Sequence, residues 1–148
     1  MRKTLWNPSS REELVTRVNH LKPDATPRWG KMNAPQMLTH LVGWMALANG
    51  ELSARPRDMF FRHTPLKQLA IFWLPFPKGV PTAPELIALE PGDWDIERGV
   101  LCRHIESWGN FDKNRQWPEH PAFGKLTSEA WGVLGYRHTD HHLNQFGV

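Results

Sequence analysis

Apolar residues recur at three- and four-residue spacing in four stretches of this 148-residue chain, and prolines and glycines punctuate the ground between them. That spacing is the repeat of one face of an α-helix; a half-buried strand would alternate every second residue, and no sustained alternation is present. With thirteen prolines and eleven glycines, long uninterrupted elements are excluded outside those stretches, because proline ends both helix interiors and central strands. The expectation is an all-α fold, a four-helix bundle with long Pro-rich crossover connections.

The first helix is expected from Ser9, where Ser9-Ser10-Arg11-Glu12 has capping-box spacing. Leu14, Val18 and Leu21 form its stripe, and Pro23 stops it. Asn33 is the expected N-cap of the second, with Pro35 in the first turn, an apolar face of Met37, Leu41, Trp44, Leu47 and Ala48, and Gly50 as the stop. Met59 to Trp73 reads as one or two short helices interrupted at Pro65, and Pro75 to Pro84 as an irregular connection. The third main helix is expected from Asp93 to Trp108, with Trp94, Leu101, Ile105 and Trp108 inward. The last runs from an N-cap at Thr127 to about Gln145, with Gly147 beyond it.

Composition narrows the function classes. Hydrophobic residues are 40% and charged residues 22%, the balance of a globular chain, and no linker divides it, so one domain over residues 1–148 is expected. The net charge of +3 comes from scattered residues, which argues against nucleic-acid partners. The longest apolar run, Leu69 to Phe76, is broken by Pro75 and falls well short of the roughly 20 residues of a membrane span. An N-terminus without an apolar signal core and a single cysteine, Cys102, lead to a cytoplasmic expectation. Eight tryptophans exceed what a small core needs, so some are expected to line a cavity.

Chemistry concentrates in Tyr136-Arg137-His138-Thr139-Asp140-His141-His142-Leu143-Asn144-Gln145. At about 100° per residue, His138 and His142 stand one turn apart on one side of the helix, where two imidazoles converge on one ion. Trp131, Leu134 and Gly135 project the same way, so this is the inward face, and Asp140 points nearly opposite. Two ligands hold a divalent ion poorly. His40, beside the apolar face of the second helix, fits best as the third, although a lone histidine there is more often a hydrogen-bonded core residue. His141 competes with His142 at three-residue spacing and is ranked behind it, as a supporting or surface residue. Trp44 and Trp131 are pocket-wall candidates for which ordinary core packing is the commoner role. His104 is the only fourth ligand to consider; His20, His63 and His120 read as surface or loop residues.

The stretches Lys31-Met32-Asn33-Ala34-Pro35-Gln36-Met37-Leu38-Thr39-His40-Leu41 and Tyr136-Arg137-His138 through His142-Leu143-Asn144-Gln145-Phe146-Gly147 resemble the DinB-like (DinB/YfiT) superfamily of metalloenzymes, in a branch of uncharacterised function. His138, His142 and Gln145 match its final-helix motif, and His40 matches its second-helix histidine. Leu143 and Asn144 stand where that family often has Arg-Gly. The resemblance implies a homodimeric four-helix bundle with a three-histidine site, and for some relatives thiol-dependent transfer or isomerisation.

Three functions follow as expectations. The first is a metalloenzyme in which a divalent ion (Zn, Ni or Fe) on His40, His138 and His142 activates a low-molecular-weight thiol toward a small electrophile. Hydrolysis is less favoured because no carboxylate is marked as a general base; Glu85, Asp93 and Glu106 are undistinguished, and Cys102 lacks an activating base. The second is a non-catalytic stress-related protein binding a metal or an apolar ligand. The third is a plain helical bundle with packed histidines.

Overall fold

The computed structural model describes residues 2–63, 65–79, 84–87 and 89–148, the side chains of Phe61 and His63 excepted. Its elements are α1 (Pro8–His20), α2 (Ala34–Asn49), a 3-10 turn (Phe60–His63), α3 (Leu66–Phe72), α4 (Pro84–Ile87), α5 (Trp94–Ser107) and α6 (Ser128–Gln145). The described residues are all-helical, with no strand beyond one isolated bridge between His120 and Gly124. No helix among them is long and apolar enough to cross a membrane.

Side-chain caps set the helix starts. Asn33 accepts from the backbone N–H of Gln36, and the Gln36 side chain accepts from the backbone N–H of Asn33, closing a reciprocal capping box. Asp93 and Thr127 cap α5 and α6 in the ordinary way, each such cap worth about 1 kcal/mol. The start expected at Ser9 is corrected: Asn7 is the cap of α1, its side chain accepting from Ser9 N–H, and Pro8 takes the first helical position. Proline fits there because its missing N–H would have had no intrahelical partner. Helix α4 was not anticipated; of the Pro75–Pro84 connection, residues 80–83 lie outside the described residues.

The four long helices touch in a closed circuit: α2 on α5, α5 on α1, α1 on α6 and α6 on α2. Leu14, Leu41, Leu101, Ile105 and Leu134 fill the space between them and are buried. Trp94, expected inward, is only partly buried at the edge of this core. Arg17 ties α1 to the far side of α6, its guanidinium donating to Asp140 at 2.6 Å and to Asn144 at 3.1 Å. Asp140 therefore faces away from the histidines of its own helix.

Six of the eight tryptophans fall into two groups. Trp6, Trp108, Trp117 and Trp131 pack on one another and on Phe111 with ring centroids 5.1 to 6.4 Å apart, a packed core rather than a cavity wall. Trp6 lies close over Gly132 of α6, and its indole N–H donates to the Ser128 carbonyl at 2.7 Å. Trp29 and Trp44 line a cavity. Trp131, expected at the wall, is fully buried and stands behind Trp44, 5.7 Å from it.

Candidate metal centre

Helix α2 carries His40 and α6 carries His138 and His142, and the packing of those helices brings the three rings to centroid distances of 4.8 to 5.0 Å, all edge to face. One ligand nitrogen from each lies within 4.8 Å of the others. The Nε2 atoms of His40 and His138 stand 3.1 Å apart; tetrahedral coordination by imidazole would put neighbouring nitrogens roughly 3.3 Å apart.

Burial keeps these rings neutral. Desolvation is the main cause in each case. It takes His40 down to about 3, with His142 adding to the effect, and His142 down to about 4 against an opposing hydrogen bond from Gln145. His138 is pushed well below the usual range by burial, with His142 and His40 next in importance. At neutral pH every ring therefore offers a lone pair.

Hydrogen bonding within the cluster is incomplete, and an ion held on the Nε2 atoms would not itself complete it. Each neutral imidazole has one N–H and one lone pair. With the His40 and His138 Nε2 atoms turned on each other, both Nδ1 atoms are buried without a partner, a cost of about 1–3 kcal/mol each. Three neutral imidazoles are a donor set that suits zinc, nickel or iron.

His142 is the best oriented of the three. Its Nδ1 is 2.8 Å from Gln145 Oε1, and Gln145 Nε2 donates to the Trp29 carbonyl at 2.6 Å. The carbonyl can only accept, so the amide nitrogen must face Trp29 and the amide oxygen must face the ring. That arrangement puts the proton on Nδ1 and leaves Nε2 bare.

The triad is exposed to a cavity of about 1150 Å³, slightly larger than most small-molecule sites. Met32, Met59, Phe76, Leu86 and Leu89 give it largely apolar walls, and Glu90 is the one carboxylate on the lining among the described residues. Arg137 pins α3 to α6 beside the site, donating to the carbonyls of Ala70, Ile71 and Leu74. His141 is at the rim, 5.3 Å from the His142 ring and 5.5 Å from Trp29.

Other candidates fall elsewhere. His104 is hydrogen bonded to Asn49 at 2.9 Å in a separate cavity of about 280 Å³, so it is no fourth ligand. Glu85 accepts from the Arg55 backbone and Asp93 caps α5; neither they nor Glu106 line the large cavity. Burial pushes the half-buried Cys102 thiol up, against a nucleophilic role. His20 is exposed, and the His63 side chain lies outside the described residues.

His120 lies in a loop, one of the two placements expected for it, but it is partly buried there and not a surface residue. Its ring lies 5.3 Å from Trp131 and 5.0 Å from Phe123 and contributes to the cavity wall. Burial, aided by the Arg62 guanidinium, holds it down at about 3. Nothing at sequence level marked it, because the surrounding Pro118-Glu119-His120-Pro121 has no helical periodicity to assign a face. Trp29 and Glu90 were missed for the same reason.

An all-helical protein with three histidines gathered at an apolar cavity is the class these observations define. The chain belongs to the family described as "Protein of unknown function (DUF1569)", whose model matches residues 7–147. No curated protein and no solved structure matches it.

Proposed function

We propose that this chain is a metal-dependent enzyme of the DinB-like type, a single-domain four-helix bundle that holds one divalent ion on His40, His138 and His142 and transfers a low-molecular-weight thiol to a small electrophile. The observation that carries the metal is the convergence of three neutral imidazoles, His40 and His142 buried and His138 partly so, beside a cavity large enough for a ligand. Three protein ligands leave a coordination position for substrate, as in catalytic rather than structural sites. An ion bound there supplies Lewis acidity that lowers the pKa of a bound thiol or water.

The chain's own residues do the rest. Gln145 fixes the His142 ring by taking its Nδ1 proton in a hydrogen bond. Trp44 packs on His138 at 5.0 Å and limits its rotation. Met32, Phe76 and Leu89 make part of the cavity wall apolar, and a polar interaction beside such a wall is stronger than in bulk water. No carboxylate is hydrogen bonded to the three rings among the described residues, which favours a reaction needing no protein base over hydrolysis. That absence also supports the second reading, a non-catalytic protein that binds a metal or an apolar ligand.

Elemental analysis of protein purified without a polyhistidine tag tests the first step. About one equivalent of metal is expected, lost in His138→Ala and His142→Ala and kept in His141→Ala. No metal in the wild type, or loss in His141→Ala alone, would overturn the ligand set. Thiol-conjugation assays then separate the two readings: metal-dependent turnover supports the enzyme, and its absence across several thiols and metals leaves the binding protein.

A further inference from the structure

His120 lies on the loop before α6, away from the triad in sequence, yet it shares the cavity with it. Its Nδ1 accepts from two backbone donors, the N–H groups of Ala122 at 3.1 Å and Phe123 at 3.2 Å. A ring nitrogen that accepts carries no proton, so the neutral ring must bear its hydrogen on Nε2. Among the described residues nothing accepts a hydrogen bond from that Nε2.

The loop is built to hold this tautomer in place. The backbones of His120 and Gly124 exchange two hydrogen bonds of 2.8 Å. Arg62 donates to the carbonyls of His120 and Pro121 at 3.2 and 3.0 Å and pairs with Glu119 at 2.7 Å. The Arg57 N–H donates to the Pro121 carbonyl at 2.9 Å. Trp131 supports one side of the ring and Phe123 another. A donor so fixed loses little freedom when an acceptor arrives.

We infer that His120 is a specificity-determining residue: its Nε2–H is a fixed hydrogen-bond donor on a lining that also carries Lys31, Gln36 and Arg57, and the ligand there is a small, largely apolar organic molecule carrying an oxygen acceptor such as a carbonyl. The apolar walls select the body of the ligand, and the donor selects one polar atom. Identifying this ligand with the electrophile rests on the proposed function; the donor itself does not require the ion.

The test uses the full chain labelled with 15N and dialysed against a chelator, so that no ion competes for the oxygen. Long-range proton–nitrogen NMR is expected to show His120 with a bare Nδ1 and a protonated Nε2, a reading that needs no variant to fold. Acetophenone should shift the Nε2 resonance and bind about tenfold more tightly than ethylbenzene, once their water solubilities are allowed for. In His120→Phe the preference should fall to near unity, and in His120→Gln, which keeps a donor, part of it should return. A protonated Nδ1, no ketone binding by the wild type, or an undiminished preference in His120→Phe would overturn the proposal. Zinc titration of the same proteins keeps the two ideas apart: failure of the wild type to take up zinc sinks the metal reading and leaves the ketone preference standing.

Discussion

Gln145 and His142 are locked together at 2.8 Å through an amide whose orientation is dictated by the Trp29 carbonyl on its other side. A backbone oxygen on the loop between α1 and α2 thereby decides which nitrogen of a histidine on α6 is free. This relay of two hydrogen bonds is the most fully determined part of the site.

Removing the relay should weaken metal binding without emptying the site. Loss of a supporting hydrogen bond to a ligand histidine typically reduces affinity about 10–100-fold. Gln145→Leu is therefore expected to lose zinc affinity in that range, and Gln145→Glu, which keeps an acceptor for His142 but turns a second oxygen on the Trp29 carbonyl, to lose affinity as well. Competition against a chromophoric chelator measures both. Equal affinity in wild type and Gln145→Leu would show that the His142 ring is held by packing alone.

Two glycines separate backbone strain from site geometry. Gly30 has φ +81° and Gly50 φ +83°, a region that favours glycine. A Cβ on Gly30 would stand 2.7 Å from Gln145 Nε2, whereas one on Gly50 would meet nothing within 4 Å. Both alanine variants should lose about 1–2 kcal/mol in urea unfolding, but only Gly30→Ala should also lose zinc affinity. A parallel loss in Gly50→Ala would mean that global destabilisation, not displacement of Gln145, accounts for the effect.

Acid should destabilise the metal-free chain from a predictable pH. His40, His120 and His142 are neutral in the fold down to about 3, 3 and 4, whereas in the unfolded chain they titrate near 6.5. Below 6.5 the unfolded state binds more protons, so stability present above that pH is lost as pH falls toward the folded values. The slope is about 1.4 kcal/mol per pH unit for each ring kept neutral. Urea midpoints should therefore decline between pH 6.5 and 4, and less steeply in His120→Gln. A flat profile over that interval would contradict the burial of these rings.

Much of the helical content was legible because it depends on near neighbours. Asn33 and Thr127 cap the helices they were expected to cap, since a cap involves groups three residues apart, and α5 begins one residue after the expected Asp93, which is its cap. The stripe of Leu101, Ile105 and Trp108 is buried as its spacing required. The start of α1 was misplaced by one residue because two capping signals overlap, and the Asn7-Pro8 pair prevails over Ser9.

Long-range placement was decided by the tertiary structure. That His138 and His142 share a side of one helix follows from their separation alone, because 3.6 residues per turn allows nothing else. That His40 reaches them depends on how α2 packs against α6, a contact made across about a hundred residues of chain. His120 joined the cavity, and Trp131 was set behind its wall, for the same physical reason: in loops and aromatic clusters a residue's environment is set by whatever distant segment packs against it. Local spacing therefore determined the helices and the paired imidazoles. Only packing decided what those imidazoles meet.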